Sequence, residues 1–282
     1  MPSVRAALLA LPLVACTGTE GILVVRRDAA AGATGAAGAP EVGQTPYVPA
    51  ADVRWWVQLD GAVDIAQDAQ LFYLDAEQQA PADLAALHAA GRHYFCYLSA
   101  GSLEAFRVDA RDFPSQAIGN QLADFPRERW LDVRDSTVRE LMARRVTALA
   151  ALGCDGVPPS SLAVHAADTG FDLTLDDALD YARWLAERLH AAGMAAGLTG
   201  PSELTREVWQ SFDFGLAIGC VGSTGCAEYQ ALELAQRPVL HLELGEAATA
   251  PAQCNAAKAL GFNAVISDAA FTGRCITCSD LP

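Results

Sequence analysis

The chain has 282 residues and a formal net charge of −15. Phosphate backbones repel so acidic a surface, which argues against nucleic acid as a partner; a cationic polymer would be attracted to it, and water solvates it equally well. A hydrophobic share of 52% is that of an ordinary globular protein with one large core. The length allows one domain or two, since α/β barrels commonly fill roughly 200–250 residues as a single unit.

Residues 1–16 read as an export signal. Arg5 gives a thin positive start and an apolar run follows to Ala15. The run is shorter than the roughly 20 residues a bilayer span needs. Leu13-Val14-Ala15-Cys16 resembles the bacterial lipobox, in which the Cys is acylated and becomes the mature N-terminus. The expectation is lipidation at Cys16, with plain secretion and an incidental Cys as the alternative. Several acyl chains anchor stably where one does not. Thr17, rather than Asp, follows the Cys, which resembles outer-membrane sorting. The expected location is therefore the bacterial cell envelope, on a lipid anchor in the outer membrane. Residues 17–50 are rich in Ala and Gly, lack a repeating hydrophobic face and read as a flexible tether, with 22–25 as a stray strand. No other segment is long and apolar enough to cross a membrane.

Residues 51–282 alternate short apolar runs with helical stretches. Strands are predicted at 54–59, 69–74, 93–98, 154–157, 195–199, 213–218, 238–243 and 264–267, and helices at 81–90, 136–152, 175–192, 203–210, 227–236 and 251–260. Thr174-Leu-Asp-Asp177 and Ser202-Glu-Leu-Thr205 place an N-cap hydroxyl before helix formers, with an acid in the first turn. Gly91, Gly153, Gly193 and Gly261 follow helices where a left-handed stop is wanted. Runs such as Leu71-Phe-Tyr-Leu74 are continuous rather than alternating, as in parallel strands covered on both faces. The expected fold is α/β, a single (β/α)₈ TIM barrel. An open doubly wound sheet would want a Gly-rich phosphate loop after its first strand, and Leu59-Asp-Gly-Ala-Val63 does not supply one. The stretch 101–134 reads as a long irregular excursion over the barrel mouth.

Eight cysteines fit export, and with Cys16 assigned to lipid seven remain, so at least one is unpaired within the chain. Cys220 and Cys226 are the best disulfide pair. Cys254, Cys275 and Cys278 offer a second bridge. Cys96 and Cys154 read as buried free thiols, because Cys packs like a small hydrophobe. Cys275-Ile-Thr-Cys278 has metal-ligand spacing but lacks a second pair and a nearby His, so no metal is expected, and no cofactor.

In a barrel, function sits at the C-terminal strand ends. These are Gln58 and Asp60, Asp75, Ser99 with Glu104, Ser160, Thr199, Ile218, Glu243, and Ser267 with Asp268. A glycosidase mouth presents two carboxylates across the bond to be broken. Asp75 and Glu243 are the acids placed to face it, unless Asp75 caps the next helix and Glu243 pairs with an Arg. Asp155, early in strand four, reads as structural. Trp55, Trp56, Tyr97 and Trp130 could stack on sugar rings or pack in the core.

From Trp55 to Cys275 the chain resembles the endo-α-1,4-polygalactosaminidase family of glycoside hydrolases. The resemblance rests on Trp56-Val-Gln-Leu-Asp-Gly61, Cys96-Tyr-Leu-Ser-Ala-Gly-Ser-Leu-Glu104 with Arg107 and Asp109, Glu128-Arg-Trp-Leu-Asp-Val-Arg134, Gly153-Cys-Asp-Gly-Val157, Thr169-Gly-Phe-Asp-Leu-Thr174, and Cys220 through Cys226. It implies a TIM barrel and substrate-binding roles for Gln58, Tyr97, Ser99, Glu104, Arg107 and Thr199. The departures lie in the mouth. The family's Glu-Pro-Asp-Asn is Pro158-Pro159-Ser160-Ser161 here, and its Glu-Gln-Cys is Ile218-Gly219-Cys220, so Ser160 and Ile218 replace the two catalytic acids. Family lysines on strands five and eight appear as Thr199 and Ser267. No catalytic residue is therefore assigned. The leading expectation is a degenerate barrel that binds a polysaccharide, such as a cationic amino-sugar polymer, or another partner. An active endo-glycosidase with relocated acids and a purely structural envelope scaffold are the alternatives.

Overall fold

The computed structural model describes residues 45–123, 125–199, 202–221 and 225–281. The expected signal segment, Cys16, the stray strand expected at 22–25 and most of the expected tether lie outside the described residues. The tether's final stretch, 45–50, already belongs to the barrel: Pro49 is buried and the Tyr47 ring stacks on His93 at 3.5 Å between centroids.

Eight parallel strands form the barrel: β1 (Trp55–Gln58), β2 (Leu71–Leu74), β3 (His93–Cys96), β4 (Gly156–Val157), β5 (Ala195–Leu198), β6 (Phe214–Ile218), β7 (Val239–Leu244) and β8 (Asn263–Ser267). Each pairs with the next in sequence, so the β1-to-β8 order of the chain is the order of the wall. Helices α1 (Pro81–Ala89), α2 (Ser136–Ala151), α3 (Leu175–Ala191), α4 (Ser202–Val208), α5 (Gln230–Leu234) and α6 (Ala250–Ala259) run between strands. Thr174 and Asp177 cap α3 with a reciprocal box, and α4 begins at Ser202 itself. Gly91, Gly153, Gly193 and Gly261 all take positive φ after their helices.

The wall does not close strand to strand. A short strand, Cys275–Thr277, runs antiparallel to β8. Its Cys275 Sγ lies 3.0 Å from the Val57 carbonyl of β1, and Leu59 N–H donates to the Phe271 carbonyl at 2.9 Å. At the other end of the seam, the Asn263 side chain donates to the Val53 carbonyl at 2.8 Å.

Side chains alternate between two layers, as strand geometry requires. Trp55, Val57, Tyr73, Phe95, Phe214, Leu216, Leu240, Leu242 and Val265 fill the interior. Phe72, Leu74, Cys96, Val157 and Leu198 pack outward with the helices. Phe95 and Phe214 stack at 4.4 Å across two intervening strands. That stack needs Gly156 and Gly197 between them: a Cβ on either would lie 2.6 Å and 2.3 Å from a phenyl carbon. Two glycines on β4 and β5 thus make room for two rings from β3 and β6.

The excursion is more regular than its sequence suggests. Ser102–Glu104, Ile118–Gln121 and Glu128–Leu131 form a three-stranded antiparallel sheet with the last of these in the middle. Its strands, Ser-Leu-Glu, Ile-Gly-Asn-Gln and Glu-Arg-Trp-Leu, are short and largely polar, so they lack the apolar runs that mark the wall. The cysteines also differ from expectation. Cys96 and Cys154 are bonded to each other rather than free, because both face the layer between wall and helices and their Cα atoms lie 5.8 Å apart. Cys254 pairs with Cys278 and Cys220 with Cys226, which leaves Cys275 as the free thiol among the described residues.

Candidate functional site

Extending the interior alternation past the strand ends gives the inward ring of the mouth. It consists of Leu59, Asp75, Tyr97 and Ser99, Ser160, Thr199, Ile218, Leu244 and Ser267. Asp75 is the one carboxylate in that ring. Glu243 belongs to the opposite face: with Leu240 and Leu242 inside, His241 and Glu243 point outward from β7. The Glu243 carboxylate accepts from Val221 N–H at 2.9 Å. Burial raises its pKa, against the backbone N–H groups of Val221 and Cys220. Gln58 also faces away from the axis; its side chain donates to Ala62 O at 2.6 Å and accepts from Asp64 N–H at 3.1 Å, fixing the loop after β1.

Asp75 is not free. It caps the 3₁₀ turn Ala76–Gln78 and accepts from Gln78 Nε2 at 2.6 Å. Arg107 reaches it from the excursion with both terminal nitrogens, at 3.1 and 2.9 Å. The same guanidinium donates through Nε to Glu104 at 2.7 Å and through Nη1 to Glu77 at 2.6 Å. Asp75 and Glu104 are both 3% exposed, so one cation is shared by two buried carboxylates and a third at the surface. Burial raises the pKa of Glu104, and Arg107 opposes that rise without cancelling it. Burial pulls Arg107 down, but its bonds to Glu104 and Asp75 prevail and hold it firmly protonated.

Beside this cluster runs a chain of hydroxyls. Ser99 Oγ meets Ser102 Oγ at 2.5 Å, and Ser102 donates to Glu128 at 2.5 Å. Tyr97 hydrogen-bonds with Ser160 and Ser99, while burial drives its pKa upward. Ser160 donates to Leu98 O at 3.3 Å, and Thr199 donates to the Pro159 carbonyl. Ser161 takes a positive φ of 61°, a left-handed backbone at the position after Ser160. Ile218 stands 46% exposed in the ring. Ser267 is buried and donates to Asp268 O at 3.2 Å, while Asp268 ties Thr272 and Arg274. Asp60 is exposed.

The structure therefore brings together Asp75, Tyr97, Ser99, Glu104, Arg107 and Ser160, and leaves Gln58 and Glu243 on the other face of the wall. Sequence reading missed Glu77 and Glu128 as members of this cluster. Glu128 had a signal, since it opens the Glu-Arg-Trp-Leu-Asp string. Asp109, which belongs with Arg107 to the Cys96–Glu104 motif, pairs with Arg145 at 2.7 and 2.8 Å instead. Of the aromatics, Trp55 is fully buried inside the barrel and Trp56 packs toward the helices, so neither offers a face to the mouth. Asp155 lies near the barrel base, where it accepts from Tyr94 N–H and His88, both at 2.9 Å.

A (β/α)₈ barrel with a polar ring at its C-terminal strand ends is an enzyme architecture that glycoside hydrolases share with many other chemistries. The model of glycoside-hydrolase family GH114 matches residues 36–281, and the chain belongs to that family. It is similar to Ega3 of Aspergillus fumigatus, whose crystal structure is a complex with galactosamine: 28% identity and a TM-score of 0.78 over 84% of this chain and 100% of that one. The glycoside hydrolase domain of PelA from Pseudomonas aeruginosa shares the fold at 16% identity and a TM-score of 0.62, over 80% of this chain and 98% of that one. No curated protein matches the chain in sequence.

Proposed function

We propose that this chain is a catalytically silent GH114 barrel that binds an amino-sugar polysaccharide at its mouth, held at the cell envelope by a lipid on Cys16. The observation that carries this reading is the inward ring, where the two positions the family resemblance gives to catalytic acids are Ser160 and Ile218. Hydrolysis by either stereochemical route needs two carboxyl groups roughly 5–9.5 Å apart across the scissile bond. A serine holds no charge at neutral pH and an isoleucine moves no proton. General acid–base participation alone is worth about 10²–10⁴-fold. The remaining ring acid, Asp75, is spent on Arg107.

What remains suits binding. Ser160 and Tyr97 present half-buried hydroxyls, with Ser99 and Thr199 buried beside them, and three carboxylates around one guanidinium leave a net negative charge that favours a cationic sugar. The similarity to a protein crystallised with galactosamine supports the same class of ligand. Three disulfides support an oxidising compartment.

One observation favours the active alternative. Glu243 has a pKa raised by burial, as a general acid requires, but it would have to turn from the outer face of β7 into the mouth. The test is paired. Mature protein incubated with partially deacetylated α-1,4-linked galactosaminoglycan should release no reducing ends, while calorimetry should register binding of the same polymer. Turnover abolished by Glu243→Gln or Asp75→Asn would establish the enzyme instead. Neither turnover nor binding would leave the scaffold reading.

A further inference from the structure

A second cluster lies behind β7, outside the sugar-facing ring. His241 Nδ1 is 3.6 Å from Cys220 Sγ. Cys226, bonded to Cys220, completes a trio whose ligand atoms all lie within 4.8 Å of one another. The three are buried, at 1%, 5% and 8% exposure for His241, Cys220 and Cys226. The His241 ring is held flat against Phe262, 3.6 Å between centroids and 9° between planes. Glu233 approaches the other ring nitrogen, Nε2, at 4.0 Å.

The sulfur–nitrogen edge of this trio has the length found in a zinc-type site, while the two sulfurs are joined to each other. Metal–sulfur bonds of about 2.3 Å and metal–nitrogen bonds of about 2.0–2.1 Å at a tetrahedral angle set sulfur and nitrogen roughly 3.5 Å apart. The Cys220–His241 edge already has that length. A metal-bound His commonly gives its other N–H to a carboxylate, and the exposed Glu233, 4.0 Å from Nε2, is close enough to reach that nitrogen with a small side-chain shift.

We propose that Cys220, Cys226 and His241 form a thiol-gated site for a zinc-type divalent cation. A dithiol reductant opens it. One of its thiolates attacks the disulfide to give a mixed disulfide, and its second thiol displaces that bond. Two electrons pass to the cysteine sulfurs, which leave as thiols, and the reductant departs as a disulfide. The cation then binds both sulfurs and His241 Nδ1, two thiol protons are released, and water takes the fourth position. In the oxidised state the sulfurs are committed to each other and the site is shut. Because the backbone N–H groups of Cys220 and Val221 hold Glu243, opening the bond also loosens that carboxylate.

The experiment uses the full chain, oxidised or reduced with a phosphine and desalted without oxygen, titrated with Zn²⁺ and separately with Co²⁺. Circular dichroism follows the fold, and alkylation with peptide mapping reads each cysteine. The expected result is a folded reduced protein that takes one equivalent of metal, shows a thiolate-to-cobalt charge-transfer band and protects Cys220 and Cys226 from alkylation, while the oxidised protein takes none. Reduced Cys220→Ser with Cys226→Ser should lose the band. Glu233→Gln should weaken binding about 10–100-fold, as loss of an outer-shell partner does. Loss of the fold on reduction, protection of other cysteines only, or unchanged binding in His241→Gln would overturn the proposal.

Discussion

Arg107 is the cation on which the mouth's buried acids depend, and its removal has a calculable signature. Its side chain is 9% exposed and it pairs with Asp75 and Glu104, whose side chains are each 4% exposed. Arg107→Met keeps the stem and deletes the charge, leaving two buried carboxylates without a counter-ion. Breaking a buried pair in this way costs about 3–5 kcal/mol. For a domain of this size that lowers Tm by roughly 6–20 °C. The deficit depends on pH, and its sign follows from Glu104. Burial raises the Glu104 pKa, so the folded state holds that proton more tightly than the unfolded chain, and stability falls as pH rises through the folded value. Without Arg107 to oppose it, the folded value climbs further and the fall is steeper. The gap between variant and wild type should therefore be widest at neutral pH and narrow toward pH 4, measured by urea denaturation followed by circular dichroism. Arg107→Lys should fall between the two, since it restores charge without the planar fork. A loss below about 1 kcal/mol, typical of exposed pairs, or a gap that does not change with pH, would refute the shared-cation account.

Three further outcomes are expected. Replacing Cys96 and Cys154 by Ala should destabilise by about 4 kcal/mol and replacing Cys220 and Cys226 by about 2, because the closed loops span 58 and 6 residues and the entropic gain grows with loop length; equal losses in denaturant titrations would point to strain or residual structure. Ser160→Asp with Ile218→Glu should give weak hydrolysis or none, and adding Thr199→Lys and Ser267→Lys should give measurable reducing-end release, since a cation is needed to keep a restored acid ionised; robust activity from the double variant would show the lysines are not limiting. Cys16→Ser should move the protein from membrane to soluble fractions of its host, and a variant that still pellets at high salt would end the lipid-anchor proposal.

The wall of the barrel was legible because its strands are compact apolar runs, from Leu71-Phe-Tyr-Leu74 to 264–267, and every strand after β2 is preceded by a helix. The strand-end inventory was legible for the same reason, but its facing was not. Naming the last residue of a strand says nothing about the side it occupies: the strand-end inventory puts Glu243 in the mouth, and counting in twos from Leu240 turns it outward. The Cys96–Cys154 bond required knowing that two cysteines on neighbouring elements share a layer. Arg107 was visible as a motif residue. Its partners Asp75, Glu77 and Glu104 come from two separate loops, and that convergence is a property of the closed barrel.

The seam between β1 and β8 gives the barrel a direction in time. A chain grows from its N-terminus, so all eight wall strands emerge before Cys275–Thr277, the element that borders β8 where the wall meets β1. Until those residues arrive, two strand edges stand open, and open edges pair readily with neighbouring chains. A chain lacking that strand would keep a horseshoe-shaped wall with both edges open. The Cys254–Cys278 bond then fastens that latch to the final barrel helix, so oxidation late in maturation would convert a closing contact into a covalent one.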